Sequence, residues 1–188
     1  MNKVSVGPNV PRMVMPVVVM GANVKGRPNY CTVAWATMID DEPPVIGLVL
    51  GKGRKTMEGV LENETFSVNV PDCQLAPEVD HCGLVSGRKE DKSEVFSPFY
   101  GSLGTAPMAR ECPVNIECRL KEVVELEATD LVMGDIMEVY VNGDCMEGNR
   151  PDILRLDPLL YAMPGGPYFA LGDKVADAFK VGKGYKKK

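Results

Sequence analysis

The chain has 188 residues, 45% of them hydrophobic and 25% charged, which is globular composition and excludes a disordered or collagen-like polymer. The length suits one domain, read as 1–188, and a chain this long buries roughly 70% of its unfolded surface without staples. The formal charge is −5, but five lysines crowd residues 180–188 and leave a body of 16 cations against 26 acids, a poor match for nucleic-acid phosphates.

The predicted elements are mostly strands. Val17–Asn23 reads as a buried strand, Lys25-Gly26-Arg27-Pro28 as a turn, and Tyr30–Met38 as the second arm of a hairpin. Asp40-Asp41-Glu42-Pro43-Pro44 breaks the pattern, and Val45–Leu50 is a strand apolar on both faces. Thr56–Glu64 is a short helix with Met57, Val60 and Leu61 on one side. Thr65–Val70 alternates, with Phe66, Val68 and Val70 opposite Thr65, Ser67 and Asn69. Leu75–Cys82 reads as helix and 83–105 as a charged loop. The strands Asn115–Lys121 and Asp135–Val141 follow, the latter with Met137, Val139 and Val141 sharing a face. A Gly/Pro-rich loop at Met163–Pro167 and a short helix near Lys174–Phe179 complete the series. Many short strands, few helices and no regular βαβ alternation predict a small closed barrel and exclude a doubly wound sheet.

Neither a membrane-length apolar run nor a signal peptide stands in this sequence, which predicts a cytoplasmic protein away from membranes. The six cysteines have no C-x-x-C spacing and there is one histidine, His81. Two-histidine metal centres and Cys2His2 fingers are therefore excluded, no metal site is expected, and the thiols read as packing residues in a reducing compartment. His81 beside Cys82 makes a poor nucleophile pair, because sequence neighbours point apart, so no protein catalytic residue is assigned.

Gly51-Lys52-Gly53-Arg54-Lys55-Thr56 is the most informative stretch. Its glycine spacing fails the Walker A pattern. Three cations and a hydroxyl at a helix start nevertheless offer charge, free N–H groups and the positive end of the helix dipole to a phosphate. The bland alternative is a solvated basic loop with Thr56 as N-cap. In Asn29–Thr37 (NYCTVAWAT), small and hydroxyl residues would let a flat ring approach the backbone, although Tyr30 and Trp35 read by default as core aromatics. Cys31 shares the face of Asn29 and Val33, opposite Thr32. In the loop 83–92, Ser86, Arg88 and Lys92 have the length and donors to reach an anion, the bland alternative being a polar loop that faces solvent.

These segments, in this order, resemble the flavin reductase-like, FMN-binding split-barrel proteins, and within them the flavoredoxin branch. The matching stretches are Asn29–Thr37, the turn Asp41-Glu42-Pro43-Pro44 and Val45–Leu50. Arg54-Lys55-Thr56, Glu64–Pro71 with its F-x-V-N-V strand, Gly83–Lys92 and Gly134–Val139 complete the match. The resemblance implies an all-β-dominated fold, a six-stranded antiparallel split barrel with short helices, and a homodimer with FMN near its interface. It places Asn29, Cys31, Thr32, Trp35, Ala36 and Thr37 along the flavin, and Arg54, Lys55 and Thr56, with Lys52 less directly, at the phosphate. Ser86, Gly87 and Lys92 would cover the flavin or its phosphate side, and Tyr168 would lie near the ring. The function implied is an FMN-dependent oxidoreductase fed by NAD(P)H or a reduced redox protein. A non-catalytic FMN carrier or sensing module is the alternative.

Overall fold

Lys25 and Gly26 both take positive φ, 52° and 75°, the backbone of the tight turn whose twist matches that of a hairpin. The computed structural model, which describes residues 2–186, has this turn joining β2 (Val18–Val24) to β3 (Arg27–Val33). A short strand β1 (Met13–Pro16) precedes them; β4 (Ala36–Asp41), β5 (Pro44–Gly51), helix α1 (Lys55–Asn63) and β6 (Thr65–Val70) follow. Helix α2 (Ala76–Leu84) and two long strands, β7 (Val114–Glu125) and β8 (Thr129–Val141), come next. The main sheet is antiparallel with order β3-β2-β6-β7-β8-β5-β4.

The sequence predicts one strand over Tyr30–Met38. The structure breaks it at Ala34-Trp35, so that β3 pairs with β2 and β4 pairs with β5 at the opposite edge. One nearly continuous segment thus joins both sheet edges, and Val49 N–H donates to Trp35 O at 2.9 Å beside the break. The main sheet therefore has seven strands where six are expected, because this segment changes partners to close the sheet; the β-barrel class holds.

The barrel interior holds Met20, Leu48, Phe66, Val68, Cys118 and Val132. A second core lies on the outer side of β2 and β3, where Val17, Val19, Tyr30, Val79, Phe96 and Leu159 pack beneath α2 and the following loops. Strand β2 is therefore buried on both faces. Tyr30 is fully buried edge-on to Phe96, while Trp35, expected as core, is 38% exposed beside the break.

Two further expectations are corrected, the inward Leu61 and the helix near 174–179, and two strands bury faces that alternation alone does not assign. Leu61 is exposed, whereas Thr56, Met57, Gly59 and Val60 face inward; α1 packs so close that a Cβ on Gly59 would stand 2.2 Å from Asn23 O, which turns the buried face away from Leu61. The polar side of β6 is buried too, because Asn69 Oδ1 accepts from Ala109 N–H at 2.9 Å and Ser67 donates to Pro107 O. In β8, a register shift between Ile136 and Glu138 leaves Met137 and Val139 exposed and packs Ile136 on the core. The helix expected at 174–179 is absent: this segment is irregular and exposed, with a single 3-10 turn at Val181–Gly184. A small sheet pairs β1 with β9 (Leu160–Met163), which pairs with β10 (Tyr168–Phe169). No described helix is long and apolar enough to cross a membrane.

Candidate functional site

Helix α1 begins at Lys55, with Arg54 as its extended N-cap residue making no side-chain capping bond. Thr56 is not the cap. It lies inside the first turn, 1% exposed, where its Oγ1 accepts from Asn29 Nδ2 at 2.7 Å. Its hydroxyl also contacts the Cys31 thiol, whose pKa burial pushes up. The first-turn N–H groups of a helix have no intrahelical acceptors, so this end carries unspent donors and partial positive charge.

The loop after α2 lies against that helix start. Gly87 is buried against Asn29, and a Cβ there would stand 2.4 Å from Asn29 Oδ1 and 3.2 Å from Lys55 Cδ. Arg88 crosses the gap, its Nε donating to Gly53 O at 3.3 Å and its guanidinium pairing with Glu58. Lys92 is the most unusual group. It is 2% exposed, and its Nζ donates to Cys82 O and Val85 O, each at 3.1 Å. No carboxylate lies within ion-pair distance of it among the described residues. Burial, with Arg54 and Lys55 nearby, holds its pKa below the ordinary lysine range, while the neighbouring Cys82 and Cys31 thiols act in the opposite sense. An ammonium has three N–H donors, so the two carbonyls leave one for a ligand.

The recess these groups enclose is lined by Asn29, Cys31, Arg54, Lys55, Thr56, Ser86, Gly87 and Lys92. Two wider cavities adjoin it through Arg54. One, of about 230 Å³, runs along Thr32, Trp35, Val49 and Thr129. The other, of about 450 Å³, is walled by Thr32, Gly83, Leu84, Tyr161, Gly166 and Tyr168. Thr32 Oγ1 donates to Val79 O, which ties β3 to α2 between the two. Trp35 Nε1 donates to Met163 Sδ at 2.7 Å and Tyr168 OH to Asp80 Oδ1 at 2.9 Å. Burial and that carboxylate push the Tyr168 phenol up to about 12.

Eleven of the fourteen residues singled out from sequence thus line three joined cavities. Ala36, Thr37 and Lys52 do not. Ala36 packs on the barrel core, Thr37 is exposed and donates to Met38 O, and Lys52 stands 3.8 Å from Glu125 and 4.0 Å from Asp130. The structure adds Asp80, Val85 and Tyr161. Val85 joins through a backbone carbonyl and so leaves no side-chain signal, whereas Asp80 and Tyr161 are brought in by α2 and β9 from distant parts of the chain. His81 faces away from Cys82, pairing with Glu90 at 3.3 Å, while Cys82 is fully buried with its thiol pushed up to about 11. All six cysteines are free, and among the described residues no cluster of three His, Cys, Asp or Glu side chains is placed to hold a metal ion.

A closed antiparallel barrel with a cation-lined recess at a helix N-terminus, adjoined by cavities along a barrel strand, defines a protein of the split-barrel class. Residues 10–166 match the flavin reductase like domain, and the chain belongs to that family. It is similar to a flavoredoxin from Methanosarcina acetivorans (41% identity, 97% and 98% of the two chains covered, TM-score 0.94). It is also similar to the flavoredoxin of Desulfovibrio vulgaris (Miyazaki F), at 31% identity, 97% and 100% coverage and TM-score 0.89. An FMN-binding protein from Thermus thermophilus with bound 1-cyclohex-2-enone superposes at TM-score 0.81, with 25% identity over 94% and 99% of the chains.

Proposed function

We propose that this protein binds FMN and passes electrons through it, from NAD(P)H or a reduced redox protein to an acceptor. The observation that carries the reading is Lys92: a buried ammonium with no carboxylate partner, facing a recess shared with Arg54, Lys55, Thr56 and the α1 N-terminus. Burying a charge is costly unless it is paired, and a phosphate monoester supplies the missing anion with acceptors for every donor around it. The residues present therefore fit the phosphate of FMN. The similarity to two flavoredoxins and an FMN-binding protein supports the same choice.

Bound FMN would supply the redox chemistry, which no side chain here provides. Lys92, Arg54 and Lys55 neutralise the phosphate, Thr56 and Ser86 offer hydroxyls, and Asn29 holds Thr56 in place. Thr32 and Trp35 border the adjoining cavity, the place for a planar ring. We place the protein in the cytoplasm, where free thiols persist. We assign it a homodimeric state, because Trp35 on one cavity wall and Met38 and Ile39 just after it on β4 are exposed apolar groups that a second copy would cover.

The test is spectroscopic. Purified protein should carry, or take up, about one FMN per chain and bind riboflavin, which lacks the phosphate, much more weakly. The bound flavin should bleach anaerobically with NADH, NADPH or a reduced ferredoxin-type donor. Equal affinity for FMN and riboflavin would refute the phosphate site; a flavin that no donor bleaches would make the protein a carrier.

A further inference from the structure

The chain beyond β10 carries large apolar groups that its own body leaves in water. Residues 170–177 are irregular, and the 3-10 turn at Val181–Gly184 follows shortly after. Val175 is 99% exposed, Phe179 95%, Tyr185 81% and Val181 71%. Side chains of this size, bare and close together, forfeit the gain of burial and mark an interaction surface. The same stretch is basic. Lys174 and Lys180 pair with Asp177, whereas Lys183 and Lys186 have no carboxylate within ion-pair distance among the described residues. At one edge of the main sheet, β4 pairs with β5 and leaves its other side open. This strand exposes Met38 and Ile39 and ends in Asp40 and Asp41, with Glu42 next, all three acids exposed. None of the three has a cation within ion-pair distance among the described residues.

We propose that residues 170–186 form an arm that seats on β4 of a second copy of this chain. Its cations meet Asp40, Asp41 and Glu42, and Phe179 with Val181 covers Met38 and Ile39. This rests on the homodimeric assignment, supplies its contact, and does not involve FMN. The length suffices: extended, residues 170–177 reach about 26 Å, enough to leave one copy and cross to the next. Charge selects the occupant. An open sheet edge invites pairing, but two β4 edges set together would oppose like charges, which is unfavourable. A cationic arm brings the opposite sign. The arm is not seated on its own body, because its apolar side chains stay exposed in the single chain. Each copy gives one arm and receives one, so a two-fold pair makes the contact twice and closes without further growth.

The experiment reverses each half of the contact in the full chain. One variant carries Lys183→Glu with Lys186→Glu, the other Asp40→Lys with Asp41→Lys. All four positions are exposed, so both variants should fold, which circular dichroism checks. Light scattering and sedimentation over a concentration series read the dimer dissociation constant. Wild type should be a dimer, and that constant should rise at least ~10-fold in each variant alone. In an equal mixture of the two variants every arm again meets an edge of opposite sign, and the constant should return to within about 3-fold of wild type. An unchanged constant in either variant would overturn the arm and leave a dimer formed by another face. Two weakened variants that fail to rescue each other would also overturn it, since a contact within one chain cannot be restored by mixing. A monomeric wild type would overturn the arm and the homodimeric assignment together. Wild type that sediments with phosphatidylserine vesicles, when the Lys183 and Lys186 variant does not and dimerises as before, would give the arm to a lipid surface and overturn the proposal.

Discussion

Replacing Lys92 with methionine keeps the length of the side chain and removes its charge. Two effects separate. The carbonyls of Cys82 and Val85, each 3.1 Å from Nζ, lose their donor. An unsatisfied buried group costs about 1–3 kcal/mol, set against the relief of no longer burying a charge. The net change in stability should therefore be small, within about 2 kcal/mol, and urea denaturation of the ligand-free protein measures it. The ligand effect is larger and selective. A hydrogen bond to a charged group contributes about 1.5–3 kcal/mol, so FMN affinity should fall roughly 10- to 100-fold. Riboflavin has no phosphate, and its affinity should change less than about 3-fold. The assay is fluorescence titration of both ligands into both proteins, a cycle in which the phosphate and the ammonium are removed separately and together. Equal weakening of FMN and riboflavin would show that Lys92 acts only through the architecture of the loop, and the phosphate assignment would fail.

Raising the pH should weaken FMN binding. The folded Lys92 pKa is depressed by burial, a bound phosphate favours its charged form, and binding must then take up a proton once pH exceeds the depressed value, so affinity falls as pH rises through it. By the same linkage the ligand-free protein gains stability over that interval, because the unfolded chain binds more protons there; isothermal titration and urea midpoints across alkaline pH test both signs. Arg54→Ala with Lys55→Ala should lower FMN affinity at least ~10-fold, about 1.4 kcal/mol, while removing lysines 186–188 should leave it unchanged; greater damage from the tail deletion would put the phosphate elsewhere. Light scattering at micromolar concentration should give a dimer, and a monomer that retains FMN would refute the interface. Anaerobic reductive titration should consume two electrons per FMN in wild type and in Cys31→Ser and Cys82→Ser alike; two extra electrons in wild type would reveal thiol chemistry that the buried, free cysteines give no reason to expect.

Local patterns determined much of this protein. Alternation marks Phe66, Val68, Ile116 and Cys118 as one buried surface, and these residues meet in the barrel interior. The basic run before Met57 marks a helix start with anion chemistry, because N-terminal N–H groups and cations depend only on neighbours in the chain. What a residue faces across the barrel is different information. Sequence marks Lys92 as one of several loop groups with reach to an anion; only the fold of the 83–92 segment against α1 buries it and leaves it without a carboxylate. Thr37 and Lys52 sit within the same motifs as Cys31 and Lys55, yet the break at Ala34-Trp35 and the turn at Gly51–Gly53 carry them away from the recess. The polar residues of β6 alternate as a solvated face would, and the 100–109 loop covers them because their hydrogen bonds are made to its backbone. Periodicity reports which side of a strand a residue takes, whereas what covers that side is set by contacts 40 or more residues distant, such as Ser67 with Pro107, and those exist only once the chain has closed.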